Sequence, residues 1–368
     1  MAVPISFSLT TELIRQVSGL LEDKGKIKKF LNNIPSAKSF TKNESVKKLS
    51  SEYECENLVL VLGAGVSMKY GLPDWYTLLQ KLMISTIEEE LNVSTVLSKL
   101  FTNIFQPSPL IAGRYLQDHF QNKNISFEES VRNSLYEGFD INNQSNLMKE
   151  IVNFCVATGT YPNLDSVITY NFDDILEQKL ESIEVPVRYR PIYGIGMQPG
   201  KHLPIYHVHG YLPQNGKITK QNEITFGESI YHRQYTDVYS WNNIVQINKF
   251  RDKTCLFIGS SITDPNLRRL LDIAQKQSGK KEISHFTFKV KYKRDEIKNR
   301  LQNLLSENRD LLDEKIIADL NLDETVNFLI EIIEKFEETD MASLGVSTIW
   351  VKDWDDVPII LKEVRDLK

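Results

Sequence analysis

Five consecutive apolar residues, Leu58 to Leu62, lead directly into Gly63-Ala64-Gly65. A short, uninterrupted apolar run is typical of a strand buried on both faces, as in the centre of a parallel sheet. Glycines after such a strand let the backbone turn tightly and approach a pyrophosphate, whose charge the next helix N-terminus attracts. This feature therefore predicts a doubly wound α/β domain that binds a dinucleotide at the loop after this strand.

The glycine spacing differs from the fingerprint of dehydrogenases, whose third glycine would stand at position 68, which here is Met68. Instead, Ser67 follows the two glycines, and Gly71-Leu72-Pro73-Asp74-Trp75 comes next. Two glycines after a strand are a weak signal by themselves. The function therefore depends on the motifs that accompany this loop.

Three further segments combine an apolar run with polar residues at its end: 167–173 (VITYNFD), 207–210 (HVHG) and 256–269 (LFIGSSITDPNLRR). Together with residues 63–75 and in this order, they resemble the Sir2 (sirtuin) family. They are most similar to the Sir2-like NAD-consuming effectors of bacterial anti-phage defence. The resemblance extends from about residue 51 to about 292 and is weaker beyond.

This resemblance implies a doubly wound, mostly parallel Rossmann-like sheet with NAD as the substrate. It also implies an NAD+ glycohydrolase that releases nicotinamide and ADP-ribose and so depletes NAD in abortive infection. Cleavage at ribose C1 passes through an oxocarbenium-like transition state, which requires a held ribose, a placed nucleophile and a proton acceptor.

The resemblance assigns the catalytic pair to Asn171 and His209. The amide of Asn171 can donate to a ribose hydroxyl and accept from a water, although an asparagine there also suits a strand end or a helix cap. Alternation places His207 and His209 on the same strand face, so periodicity does not separate them. The family's histidine directly precedes a glycine, which selects His209 before Gly210 and leaves His207 as a core or supporting residue.

The residues that the resemblance assigns to cofactor binding all lie in these loops. They are Gly63, Ala64, Gly65, Ser67, Asp74, Asp173, Gly259, Ser260, Ser261 and Asp264. Asp74, Asp173 and Asp264 are equally suited to cap a loop or helix, so both interpretations stay open. Arg268 and Arg269 could meet phosphate, but salt bridges on a helix surface are the favoured interpretation.

Composition limits the other classes of function. A net charge of −5 over 368 residues argues against a general electrostatic grip on nucleic acid. We expect a cytoplasmic protein, because no apolar run reaches membrane length and the N-terminus lacks a secretory pattern. Cys55, Cys155 and Cys255 form no Cys-x-x-Cys pair, so we expect neither a bound metal nor the zinc module of deacylating sirtuins.

The sequence divides into three predicted parts: a helical arm (1–50), a Sir2-like catalytic domain (51–292) with a helical insertion at about 76–160, and a C-terminal part (293–368). We expect the C-terminal part to contain helices, a last strand and a last helix, packed on the core. The strands predicted after the insertion are Ser166–Tyr170, Val185–Arg190, Ile205–Val208, Glu223–Phe226, Thr254–Ile258, His285–Val290 and Ser347–Val351.

Two other functions fit the same cofactor site: an NAD-dependent protein deacylase and a non-catalytic module that binds NAD or ADP-ribose. An uncontrolled NAD hydrolase would kill its host, so we expect a gate. Because no large sensor domain fits after residue 292, we expect a homo-oligomer or a separate activator. A HerA-like ATPase or an Argonaute-like protein would fit as that activator.

Overall fold

The computed structural model describes residues 29, 32–33, 40–91, 109–157, 162–279, 285–307 and 321–367. Its seven strands form one sheet in the spatial order β3-β4-β2-β1-β5-β6-β7. Each neighbouring pair is parallel. The strands are β1 Leu58–Leu62, β2 Leu164–Thr169, β3 Tyr189–Ile192, β4 Leu203–His207, β5 Thr254–Ile258, β6 His285–Val290 and β7 Val346–Val351. The predicted doubly wound α/β fold is confirmed, and the sheet is parallel throughout the described residues.

Helices cover both faces of this sheet. They are α1 Lys42–Glu54, α2 Trp75–Leu91, α3 Pro109–Asn122, α4 Phe127–Leu135, α5 Asn146–Cys155, α6 Ile175–Glu181, α7 Glu228–Thr236, α8 Trp241–Asp252, α9 Pro265–Ser278, α10 Arg294–Glu307, α11 Leu322–Ser343 and α12 Asp356–Asp366. Alternate residues of β1 point to opposite faces, so Leu60 joins one hydrophobic core and Val61 the other. Because β1 is apolar at every position, it fits only in the middle of the sheet.

The order of the strands reverses beside β1. The chain places β2, β4 and β3 on one side of β1, and then β5, β6 and β7 on the other. Loops that leave β1 and β5 therefore diverge and open a crevice at the carboxyl edge, which is where doubly wound sheets bind ligands. The topology thus directs attention to the residues that follow Leu62 and Ile258.

The predicted helical insertion is present between β1 and β2 as α2 to α5, and no strand occurs in the described part of this segment. Its apolar positions face the sheet, with Leu82, Leu116, Val131 and Ile151 all buried in one core. The predicted helix at 94–104 lies outside the described residues, as does most of the predicted arm at 10–31.

Both ends of the described chain pack on the same sheet. Six residue pairs join β6 to β7, so the C-terminal part extends the sheet itself. The Ser50 hydroxyl in α1 donates to the Leu367 carbonyl after α12 at 2.8 Å. At the start of α1, Thr41 and Glu44 form a reciprocal capping box.

Two predicted strands differ from the structure. Residues 223–226 form a loop, although Ile224 and Phe226 alternate as buried positions like those of a strand. Ile224 packs closely on Gly210, where a Cβ would lie 2.8 Å from the Ile224 Cα, and Phe226 packs on the rings of Trp75 and Phe127. The predicted strand 185–190 starts only at Tyr189 and continues through Pro191, which an edge strand such as β3 tolerates.

Candidate active site

Four adjacent strands bring the sequence motifs together at one edge of the sheet. Thr169 at the end of β2 pairs with Leu62 of β1 and with His207 of β4, and Leu62 pairs with Ile258 of β5. The chain therefore leaves all four strands at the same level. The residues that follow are the glycine loop, Asn171, His209 and the Gly259 turn, so the predicted site residues converge on one region.

The glycine loop and the Gly259 turn touch through their backbones. Gly65 N donates to the Gly259 carbonyl oxygen at 3.0 Å. A Cβ on Gly63 would lie 2.6 Å from that same oxygen. Gly259 has a φ of +67°, and its own Cβ would lie 2.8 Å from Val66 N. Glycine is therefore required at these positions by the close approach of two main chains.

The side chain of Asn171 is fixed by its two amide hydrogens. Nδ2 donates to the Gly63 carbonyl oxygen at 3.1 Å and to Ser67 Oγ at 3.2 Å. The Asn171 backbone N donates to Thr169 Oγ1 at 3.1 Å. Because Nδ2 carries only two hydrogens, the amide can engage a further group only through Oδ1, as an acceptor.

Behind Asn171, Ser67 and Asp173 set the direction of these hydrogen bonds. Ser67 Oγ donates to Asp173 Oδ2 at 2.9 Å, which leaves the Ser67 lone pairs to accept from Asn171. Burial raises the pKa of Asp173 to about 6, although the Ser67 hydrogen bond opposes the rise. Ser67 is 2% exposed and Asp173 is 7% exposed. Ser67 therefore contacts Asn171 directly, and Asp173 acts on Asn171 through Ser67.

His209 lies two residues beyond the end of β4 and is partly buried. Its ring packs edge-on against Tyr170, with 4.7 Å between the centroids, and the Tyr170 hydroxyl donates to Gln246 Oε1. Burial lowers the pKa of His209, and Asp264 opposes that shift. The imidazole is therefore neutral near pH 7 and able to accept a proton.

His207 faces a different set of neighbours. Its Nε2 lies 2.8 Å from Glu177 Oε1, and both side chains are almost fully buried. The expectation that His207 is a core or supporting residue is confirmed. Sequence reasoning did not select Glu177. Its one signal in the sequence was an acidic residue in the first turn of the helix that follows the Asn171 motif.

The family model described as "SIR2-like domain" matches residues 165–311. This part of the chain is similar to SIR2-like domains. The matched range begins in β2 and ends beyond α10, so it includes Asn171, His209 and the Gly259 turn. The chain is also 22% identical over 331 residues to "NAD(+) hydrolase ThsA" of Acinetobacter baumannii (strain 532279). That similarity covers 87% of this chain and 55% of the relative, so the chain spans about half of that protein's length.

Other predicted site residues have structural partners within the protein. Asp74 Oδ1 accepts from Thr77 N at 2.8 Å and caps α2, and Asp264 Oδ1 accepts from Leu267 N at 2.7 Å and caps α9. Ser260 Oγ accepts from Ile262 N at 3.3 Å. These caps are compatible with a further role in binding, which stays a prediction for Ala64, Ser261 and the other cofactor-binding residues.

The two arginines of α9 interact within the protein. Arg268 forms a two-pronged ion pair with Asp340, at 3.0 and 2.6 Å. Arg269 donates to Asn266 Oδ1 at 2.8 Å and to the Gln234 carbonyl oxygen at 3.1 Å. The favoured salt-bridge interpretation is confirmed for Arg268. Arg269 instead joins α9 to the end of α7 by hydrogen bonds.

The described part of the chain offers no group of three or more His, Cys, Asp or Glu side chains arranged to hold a metal ion. Burial raises the pKa of the Cys155 thiol to about 12 and raises that of Cys255 as well, so both are neutral thiols. None of the helices in the described part of the chain combines the length and the apolar character that a membrane span requires.

Proposed function

We propose that this protein hydrolyses NAD+ at the bond between ribose C1 and nicotinamide, giving nicotinamide and ADP-ribose. The main support is the convergence of Asn171 and His209, which follow the neighbouring strands β2 and β4 at the edge where the glycine loop meets the Gly259 turn. The similarity to an NAD(+) hydrolase supports the same reaction. The protein would consume NAD as a substrate.

The reaction assigns distinct tasks to the two residues. Nicotinamide leaves as a neutral ring, so positive charge develops at the ribose and no acid is needed at the leaving nitrogen. Asn171 Oδ1 would accept from a ribose hydroxyl or from the attacking water. Neutral His209 would take the proton that the water, or a ribose hydroxyl, loses as the new C–O bond forms.

The glycine loop would hold the dinucleotide. At Gly63 and Gly65 a Cβ would overlap the Gly259 turn, so the loop there is bare main chain. Such a loop beside a sheet edge suits a pyrophosphate, whose oxygens accept from backbone N–H groups. Gly259, Ser260 and Ser261, together with Asp74 and Asp264, would line the ribose, adenine and nicotinamide parts of the crevice.

NAD turnover by the purified chain tests this proposal. Chromatography should show nicotinamide and ADP-ribose with the wild type, and a loss of about 100-fold or more with Asn171→Ala or His209→Ala. Lys276→Ala, which removes an exposed i,i+4 pair with Asp272, serves as a control that should keep full turnover. Equal turnover by all four proteins would contradict the proposal. Nicotinamide release only with an acyl-lysine peptide would indicate a deacylase instead.

In cells we propose that the hydrolase depletes NAD during abortive anti-phage defence in the cytoplasm, under control of a partner or of homo-oligomer assembly. The sequence resemblance to defence effectors supports the defence role. Control by a partner or by assembly is proposed because an uncontrolled hydrolase would kill its host. A HerA-like ATPase or an Argonaute-like protein is the proposed activator. Intracellular NAD measured during phage infection should fall with wild type and stay constant with His209→Ala. Light scattering with and without the partner should reveal the assembly.

A further inference from the structure

Two buried polar side chains, His207 and Glu177, lie next to the loop that contains Asn171. His207 is the last residue of β4, and Glu177 is in α6; their side chains are 1% and 6% exposed. His207 Nε2 and Glu177 Oε1 are 2.8 Å apart. The other ring nitrogen, Nδ1, lies 3.4 Å from the backbone carbonyl oxygen of Asn171. The pair therefore links α6 and β4 to Asn171 in the loop after β2.

The chemistry of these three groups fixes where the hydrogens lie. A backbone carbonyl can only accept, so Nδ1 must carry the hydrogen in its contact with Asn171. The contact between Nε2 and Glu177 holds one further proton, whichever partner carries it. Both ring nitrogens are then satisfied, and the ring is oriented by two partners. The Tyr211 ring packs against it, with 4.3 Å between the centroids.

Stability alone gives a poor account of this pair. Burying a histidine and a carboxylate costs desolvation energy, and apolar residues of similar size are often as stable or more stable. The small cavity that the pair lines also has polar lining residues, but its apolar ones, Leu62, Val66, Met148, Leu176 and Ile205, could pack against an apolar pair. What an apolar pair would lose is the contact with the Asn171 carbonyl.

We propose that Glu177 and His207 are a positioning pair, which holds the Asn171 backbone so that its side chain meets NAD in the productive orientation. Asn171 lies in the loop after β2, and among the described residues its other hydrogen bonds are those from its amide hydrogens and backbone N to Gly63, Ser67 and Thr169. His207 provides the contact from the β4 side. The role in turnover rests on the proposed function, whereas the role in ordering the loop does not.

The central test is the double variant Glu177→Met/His207→Leu, which removes both polar groups together and leaves neither one buried alone. We expect a thermal midpoint within a few degrees of wild type, kcat reduced about 10-fold or more, and ADP-ribose affinity changed less than threefold. Hydrogen exchange should become faster in a peptide covering residues 169–173. His207→Gln, whose amide can still donate to the Asn171 carbonyl, should recover part of kcat. The matched control is Lys249→Met, which breaks an ion pair with Asp165 at the opposite end of β2 and should leave kcat unchanged.

A folded double variant with wild-type kcat and wild-type exchange at residues 169–173 would overturn the proposal. Unfolding of the double variant and of His207→Gln alike would also overturn it, because the pair would then be a structural requirement. If the wild type does not hydrolyse NAD even with its partner, the proposed function fails by itself. The exchange rates of the loop would still decide whether the pair positions Asn171.

Discussion

The Asn171 side chain donates a hydrogen bond to the backbone oxygen of Gly63, a residue 108 positions earlier in the chain, at 3.1 Å. This bond joins the end of β2 to the first glycine of the loop after β1. The side chain of the Asn171 motif is thus held by the main chain of the glycine loop. Any change in the glycine loop is therefore transmitted to Asn171.

The orientation of the Asn171 amide leads to a first prediction. In Asn171→Asp a carboxylate oxygen replaces Nδ2 and faces the Gly63 carbonyl, so two acceptors repel each other. We expect kcat to fall as far as in Asn171→Ala, by about 100-fold or more, since a removed or misplaced polar group costs this much in comparable sites. Steady-state kinetics measures it. An aspartate variant with more than a tenth of wild-type kcat would contradict the assigned donor geometry.

Asp173 leads to a prediction about pH and activity. Burial raises its pKa to about 6, and the groups that face it are Glu177, His207 and Tyr136. Protonation below this pKa removes the charge from the acceptor that orients Ser67, and Ser67 supports Asn171. We expect kcat to fall below about pH 6 in the wild type and to lose the Asp173 inflection in Asp173→Asn, which leaves the fall that protonation of His209 causes. Asp165→Asn, at the other end of β2, should keep the inflection, and a wild-type profile that is flat to pH 5 would refute the prediction.

Protonation of Asp173 should stabilise the folded protein, although it should lower kcat. As pH rises, the unfolded chain loses this proton near the ordinary pKa of 3.8, whereas the folded protein keeps it to about pH 6. The free energy of unfolding should therefore fall as pH rises from about 4 to 6, by an amount on the order of 3 kcal/mol. Denaturant unfolding at several pH values measures this slope. Asp173→Asn should flatten it, and an unchanged slope would indicate that other groups dominate.

The contact between the two glycine-containing loops gives a prediction with an internal control. Gly259→Ala combines a positive φ with a Cβ only 2.8 Å from Val66 N, whereas Gly196, at φ +81°, has open space around it. We expect Gly196→Ala to cost about 1 kcal/mol from backbone strain alone. Gly259→Ala should cost about 2 to 4 kcal/mol because overlap is added. Equal losses in urea unfolding would show that the two loops separate easily.

The Tyr136 hydroxyl binds Asp174, the residue directly before α6, and we expect this contact to stabilise the fold. The hydroxyl donates to Asp174 Oδ1 at 2.7 Å and accepts from Asp174 N at 3.1 Å. Tyr136→Phe leaves both groups without this partner, so we expect a loss of about 1 to 3 kcal/mol. Thermal unfolding measures it. Tyr115→Phe, at an exposed position of α3, is the control and should leave the midpoint unchanged.

Much of the fold follows from local sequence patterns. The apolar runs at β1 and β5 and the periodic helices of the insertion are determined by burial on a sheet or on one helix face, which a sequence displays directly. The error at residues 223–226 has the opposite origin. In that segment Ile224 packs on Gly210 and Phe226 packs on Trp75 and Phe127, and no local pattern shows which neighbours a loop will meet.

The site was predictable where a motif and a strand end coincide, as at Asn171 and Gly63. The different surroundings of His207 and His209 were not predictable, because the strand alternation ends with β4 at His207. Beyond that point His209 turns to Tyr170, while His207 meets Glu177. Such a pairing depends on how α6 is placed against β4, and that placement comes from the whole sheet.

The central position of β1 also has a consequence for synthesis of the protein. Leu58 pairs with Leu164 on one side and with Thr254 on the other, so β1 is completed by partners that emerge from the ribosome much later. The glycine loop finds its support on Gly259 only after β5 has left the ribosome. A nascent chain that ends before β5 therefore lacks this contact at the carboxyl edge of the sheet, so the proposed activity could begin only once most of the sheet exists.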